Sequence, residues 1–172
     1  MDNSIYLYHF TDRLNIESIK KYGGLYSWGY LEKNKIPIPR PGGDETSRKL
    51  DTRYRDLSDY VRLSFCRYHP MRNRLIRNGY NLVLLKIDSS IIGETSLIAN
   101  QNATKNDVSI ISATEYFENN DYSDFLNFEA IDNNGTFTYR SDSYNSQQAE
   151  VLIKTKVPLE YILNIDSPEI LR

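Results

Sequence analysis

The apolar positions of this chain fall into short runs separated by polar and turn-forming residues. Residues 5–10 are rich in Ile, Leu, Tyr and Phe and predict a strand. Leu14, Ile16 and Ile19 give residues 14–22 one apolar side, with Thr11 or Asp12 as a cap and Gly23-Gly24 as a stop, which predicts a short helix. From 26 to 56 no period is clean, and Pro37, Pro39, Pro41 and Gly42-Gly43 predict a loop in the middle of that span. Further strands are predicted over 60–66, over 81–87 (the most apolar) and over 148–155, which alternates well, with a last one over 161–165. A strand and a short helix are predicted within 107–117. Residues 122–139 read ambiguously around a hairpin-like turn at Asn133-Asn134-Gly135.

The 172 residues suffice for one α+β domain over 1–172. Six prolines and eight glycines exclude a collagen-like or globally disordered chain. The one cysteine, Cys66, permits no internal disulfide and points to a reducing, cytoplasmic setting. With only two histidines beside it, the usual zinc ligands are too few, so no metal is expected. No apolar run approaches a membrane span, and the opening Met1-Asp2-Asn3-Ser4 carries no signal-peptide pattern. The net charge of −2 excludes a uniformly basic nucleic-acid-coating protein but not a locally basic cleft. Residues 40–77 hold ten basic side chains against five acidic ones, whereas 107–150 hold nine acidic against one basic, Arg140. This asymmetry fits either two solvated faces or a polyanion-binding face beside an acidic lobe. Fourteen tyrosines can stack on bases or fill a core.

Gln148-Ala149-Glu150 is the most suggestive tripeptide. On a strand, Gln148 and Glu150 share one face while Ala149, Val151 and Ile153 point into the core. A carboxylate fixed on a strand can accept a ribose hydroxyl and stabilise positive charge at an anomeric carbon. An edge strand can equally show such a pair to water. His9, ending the first strand, reads as a buried histidine, His69 as a turn residue and Cys66 as a small hydrophobe. In 60–65, Val61, Leu63 and Phe65 point inward, and Tyr60, Arg62 and Ser64 form an outward row facing a ligand or water. Dinucleotide-binding, P-loop, zincin and α/β-hydrolase motifs are all missing from the sequence.

These pieces together resemble the DarT family of bacterial ADP-ribosyltransferases that modify nucleic-acid bases. The match runs in order through Tyr6-Leu7-Tyr8-His9-Phe10-Thr11, Asn15, Ile19, Gly24-Leu25-Tyr26-Ser27, Leu57-Ser58-Asp59-Tyr60-Val61, Phe65 and Pro70-Met71. It continues through Val83-Leu84-Leu85-Lys86-Ile87-Asp88, Asn102-Ala103 and Gln148-Ala149-Glu150-Val151-Leu152-Ile153. The resemblance implies an ADP-ribosyltransferase fold: a split, twisted β core with small peripheral helices around a cleft for NAD, the co-substrate. By motif position it implies Glu150 as the catalytic glutamate. His9, Thr11 and Asn15 would contact NAD, with Tyr60 on its nicotinamide half and Gln148 beside Glu150. A phosphate-engaging catalytic arginine would be Arg48 or Arg53, and spacing favours Arg48. Many members read Tyr-Val-Pro-Phe-Tyr-Phe where this chain has Tyr60-Val61-Arg62-Leu63-Ser64-Phe65. That departure makes Arg62 a candidate donor to a base carbonyl, favouring guanine or thymine, with Arg72, Arg74 and Arg77 along the nucleic-acid path. The expected partner is single-stranded nucleic acid, DNA over RNA, in a toxin that an antitoxin can oppose, with a role in phage defence. Competing readings are an RNA-directed enzyme of the same fold, a protein-modifying ADP-ribosyltransferase and a non-catalytic nucleotide- or nucleic-acid-binding module.

Overall fold

In the computed structural model, which describes residues 6–42, 45–53, 55–132 and 142–171, the strand predicted over 5–10 is β1 (Tyr6–Asp12). The central strands are β3 (Tyr60–Ser64), β4 (Leu82–Asp88) and β7 (Glu150–Lys154). With β5 (Leu97–Ala99), β6 (Ile110–Ser112) and β9 (Glu169–Ile170) they build a seven-stranded sheet ordered β6-β5-β7-β3-β1-β4-β9. Every pairing in it is antiparallel. A second sheet pairs β2 (Gly24–Tyr26) with β8 (Lys156–Pro158). Gly24 allows that pairing, because a Cβ there would run into the Val157 carbonyl.

One face of the large sheet carries the main core: Leu7, Val61, Leu63, Leu85, Ile87, Val151 and Ile153 are all buried there. Period-two alternation places Ala149, Val151 and Ile153 inward, as the sequence predicts. The other face is apolar only at its ends. Leu82, Leu84 and Leu171 pack with Tyr8, Phe10, Leu75 and Ile76 on one side, and Leu152 packs with Leu57, Ala99, Ala103 and Val108 on the other. Between these clusters the sheet is polar. β1 pairs with β4 over seven residues but meets β3 at a single register pair, Tyr8↔Ser64, so the sheet is split where the two strands part.

The helix predicted over 14–22 is α1 (Ile16–Tyr22), preceded by a 3-10 turn over Arg13–Asn15 whose cap is Asp12, and ended by Gly23 at φ 79°. Within 26–56, α2 (Trp28–Lys33) and α3 (Glu45–Arg53) flank the loop predicted around Pro37, Pro39 and Pro41, where the described residues 36–42 form neither helix nor strand. α2 is too short to show a period, and α3 offers only Leu50, itself exposed. α4 (Met71–Arg77) has three apolar residues, Met71, Leu75 and Ile76, too few over seven positions to show a period, whereas α5 (Ala113–Glu118) lies where a short helix is expected. Short helices α6 (Phe128–Asp132) and α7 (Asp142–Ser146) precede β7; the turn expected at Asn133-Asn134-Gly135 lies outside the described residues. No strand forms over 161–165, where Ile162 makes only an isolated bridge to Ile87. Among the described residues no helix is long and apolar enough to cross a membrane.

Asp12 ties three segments together. It is buried, accepts the Leu14 N–H and the Asn81 N–H at 3.0 Å each, and lies 3.7 Å from the Arg40 guanidinium. Asp12→Ala removes a cap and leaves a buried amide without an acceptor, and the expected loss is about 2–4 kcal/mol in denaturant unfolding. A loss under about 0.5 kcal/mol, the size of an ordinary surface substitution, would show that these bonds are replaceable.

Candidate active site

A cleft of about 570 Å³ opens at the split between β1 and β3, lined from β1 by Tyr8 to Thr11 and from β3 by Tyr60, Val61, Arg62 and Ser64. The row Tyr60, Arg62, Ser64 thus faces the cleft rather than bulk water. Glu150 lies on its floor. Strand register puts Glu150 opposite Ser64 on one side and Ala99 on the other, two small neighbours that leave room beside the carboxylate. Arg62 is the diagonal neighbour on the same face, within reach for a long side chain.

The Arg62 guanidinium fills this polar strip. Its Nε donates to both Glu150 oxygens at 3.2 Å, and its Nη2 donates to Glu150 Oε2 at 2.6 Å and to Asn102 Oδ1 at 3.0 Å. Its Nη1 donates to Asp51 Oδ1, on α3, at 3.0 Å. Glu150 Oε2 also accepts the Ala103 N–H at 2.9 Å, and Asp51 Oδ2 accepts the Trp28 indole N–H at 2.9 Å. Side-chain exposure is 24% for Arg62, 8% for Asp51 and 9% for Glu150, so the charges are largely removed from water. Burial works against the Arg62 charge, but Glu150 and then Asp51 hold its pKa above the ordinary value. Burial raises the Asp51 carboxyl, against the opposing pull of Arg62 and the Trp28 N–H. The expectation that Arg62 projects toward a base carbonyl is therefore corrected. Four of its five N–H groups already have acceptors on this chain, because two carboxylates lie within reach.

The walls come from the N-terminal half. His9 Nδ1 donates to the Arg62 carbonyl at 3.2 Å, which leaves Nε2 as an acceptor in the neutral ring. Thr11 and Asn15 line the cleft, but the Asn15 amide is engaged by the chain itself. It donates to Arg40 O at 2.7 Å and to Thr11 Oγ1 at 3.0 Å, and accepts the Arg40 N–H at 2.8 Å. Asn15 thereby pins the 35–42 segment, whose Ile36, Pro37, Ile38 and Pro41 form an apolar wall. Arg48, on α3, lines the cleft and pairs with Glu32 beside the Trp28 ring; Arg53 does not line it. Gln148 does not reach the cleft either. The backbone turns through 145–149, β7 begins at Glu150, and the Gln148 amide donates to Tyr144 O at 3.3 Å, so the two-residue alternation does not extend back to it. Arg72, Arg74 and Arg77 sit on α4, whose Met71 and Leu75, not the arginines, line the cleft.

Sequence reasoning missed Asp51, Trp28 and the cleft position of His69. An acidic residue in a polar helix carries no signal of burial, which here comes from partners distant in sequence. His69 is the expected turn residue, but it is buried on the cleft wall. Its Nδ1 accepts the Met71 N–H at 3.2 Å, and its Nε2 has no partner among the described residues. Among those residues no cluster of His, Cys, Asp or Glu is placed to hold a metal ion.

A family model described as "ssDNA thymidine ADP-ribosyltransferase, DarT" matches residues 8–169, nearly the whole chain. This chain belongs to the DarT family. With that family it is an NAD-dependent ADP-ribosyltransferase of single-stranded DNA, the nucleic acid favoured from the sequence. The fold agrees with solved DarT structures. Thermus sp. 2.9 DarT with ADP-ribosylated ssDNA aligns at TM-score 0.74 and 17% identity, over 92% of this chain and 79% of that one. The same protein with NAD+ aligns at TM-score 0.69 and 16% identity, over 93% and 80%. Thermosipho africanus DarTG with ADP-ribose aligns at TM-score 0.75 and 22% identity over 91% of this chain, which spans 42% of that one. No curated protein matches the chain by sequence.

Both histidines near the DarT cleft are held neutral. Burial pushes His69 down from 6.5 to about 3, with the Arg62 charge adding to it, and burial lowers His9 against its bond to the Arg62 carbonyl. The unfolded chain protonates these rings first as pH falls through about 6.5, so stability present above that pH is lost below it. Between about pH 7 and pH 5, above the carboxylate range, unfolding should take up about one proton at His69, and His9 adds to that uptake. His69→Leu should remove the His69 contribution. An unchanged pH slope in that variant would show that His69 titrates normally in the fold.

Proposed function

We propose that this cleft transfers ADP-ribose from NAD to a thymine of single-stranded DNA, with Glu150 as the catalytic carboxylate. The observation that carries this reading is a buried, pre-oriented Glu150 on the floor of an aromatic-walled cleft. As the nicotinamide–ribose bond lengthens, its electron pair leaves with nicotinamide and positive charge grows on the ribose ring. A fixed carboxylate accepting the ribose 2′-hydroxyl stabilises that charge more in the transition state than in the ground state. Thymine N1 already carries the DNA sugar, so N3 is the ring nitrogen left to bond C1, giving up its proton as it does. N3 is hidden by pairing in a duplex, which makes a single strand the accessible form.

His9 and Tyr60 serve as NAD contacts in this reading, His9 through its free Nε2 acceptor. Thr11 and Asn15 act by shaping the wall. Arg48, rather than Arg53, is the phosphate-engaging arginine, because it alone of the two lines the cleft. Arg72, Arg74 and Arg77 serve as a rim for the DNA backbone. An antitoxin that reverses the modification, and a cytoplasmic setting in which Cys66 stays reduced, complete the proposal.

Glu150→Gln keeps the shape and removes the charge. Transfer to a thymine-containing oligonucleotide, read by mass, should fall by roughly 10²–10³ while NAD binding survives. Arg48→Ala should lose transfer where Arg53→Ala retains it. Near wild-type transfer by Glu150→Gln would overturn the assignment. Labelling of thymine-free single strands would overturn the base.

Oligonucleotide binding should weaken steeply with salt, by a slope of about −0.7 per phosphate contacted. Replacing Arg72, Arg74 and Arg77 together by Ala should reduce that slope by about 2. Affinity that is flat across salt, or a slope unaltered by the triple replacement, would remove α4 from the DNA path.

A further inference from the structure

We propose that Arg62 is a positioning residue that fixes the orientation of Glu150 and docks the Arg48-bearing helix α3 onto the catalytic strand through Asp51. The inference rests on the catalytic reading of Glu150 for its kinetic consequences but not for its structural one. Three observations carry it. The two oxygens of Glu150 are unequally used: Oε2 accepts Arg62 Nη2, Arg62 Nε and the Ala103 N–H, whereas Oε1 receives only the 3.2 Å contact from Nε. Oε2 is therefore the anchor, and Oε1 the oxygen with free acceptor capacity for a ribose hydroxyl. Next, Asp51 and Arg48 are three residues apart on α3, hence on neighbouring positions of one helix face. The Arg62–Asp51 pair thus sets where Arg48 stands relative to Glu150. Finally, the 102–104 loop joins the same guanidinium, since Asn102 Oδ1 accepts Arg62 Nη2 together with the Thr104 N–H and hydroxyl.

The groups facing Arg62 are Glu150 from β7, Asp51 from α3, and the neutral His9 and His69 from β1 and the turn before α4. One cation between two buried carboxylates is a definite electrostatic arrangement. Without it the carboxylates face each other across a gap of low polarity and cannot both stay ionised, so Asp51, already raised by burial, takes a proton at higher pH. The anchor of Glu150 Oε2 is then lost, and so is the alignment of Arg48.

The test uses Arg62→Met, which keeps the length and removes the charge, and Arg62→Lys, which restores one cation without the bidentate fork. In NAD turnover, Arg62→Met should lower kcat about a hundredfold, with KM for NAD within about threefold, because misplacement acts on the transition state. Arg62→Lys should recover part of the loss in kcat. Asp51→Asn combined with Arg62→Met should cost less than the two single losses together. Independently of turnover, the Asp51 carboxyl carbon, assigned by its disappearance in Asp51→Asn, is titrated by NMR in the wild-type protein and in Arg62→Met. The variant's midpoint should be higher by at least one pH unit. Equal midpoints overturn the inference whether or not the protein consumes NAD. A midpoint shift in a wild-type protein without NAD turnover leaves the positioning role standing and refutes the catalytic reading instead. Wild-type kcat in Arg62→Met overturns the positioning role while leaving Glu150 catalytic.

Discussion

The buried contact of Arg62 with Glu150 and Asp51 is the interaction around which the cleft is arranged. Each carboxylate comes from a different element, and the guanidinium from the strand between them, so α3, β3 and β7 meet at one charge. Desolvating three ionic groups is costly, and an apolar substitute of the same shape can match such a network in stability. Removing one partner is different, because it strands the others without compensation, at about 3–5 kcal/mol. The network therefore contributes geometry more than stability. It persists because its remaining polar valences are met by the Trp28 indole, the Ala103 amide and Asn102.

The sheet makes room for this polar strip by dividing its core. Its covered face is continuous and apolar, whereas the cleft face is apolar only under α4 and under the 100–108 loop. The parting of β1 from β3 after one register pair exposes edge backbone. One exposed acceptor, the Arg62 carbonyl, is taken by His9 Nδ1. The opposite wall is held as firmly: Asn15 engages both backbone groups of Arg40, and Ser18 donates to the Pro37 carbonyl. The 35–42 segment is loop in backbone terms but is pinned as a wall.

Charge distribution changes meaning once pairing is known. Of the ten basic side chains between 40 and 77, Arg40, Arg48, Lys49, Arg62 and Arg67 form ion pairs on this chain. The positive field is correspondingly smaller than the sequence count, and α4 carries Arg74 and Arg77 exposed.

What the sequence determined by itself is what depends on neighbours along the chain. Alternation marked β3 and β7 because a half-buried strand repeats every two residues, apolar content marked β1 and β4, and Thr11 or Asp12 and Gly23-Gly24 marked the limits of the first helical segment. The ordered motifs from Tyr6 to Ile153 carried the family resemblance, and with it the use of NAD. The tertiary structure decided what depends on distant partners. α3 escaped notice because a polar helix held by ion pairs has no hydrophobic period, and α4 because its apolar contacts, Leu75 and Ile76, are too few to show one. Gln148 left the site because the preceding turn broke the alternation one residue before Glu150. Arg62 passed from reader of the base to clamp of the carboxylates because residues 51 and 150, far apart in the chain, converge on the same face of β3. That convergence is a property of strand register and helix docking, which no local pattern encodes.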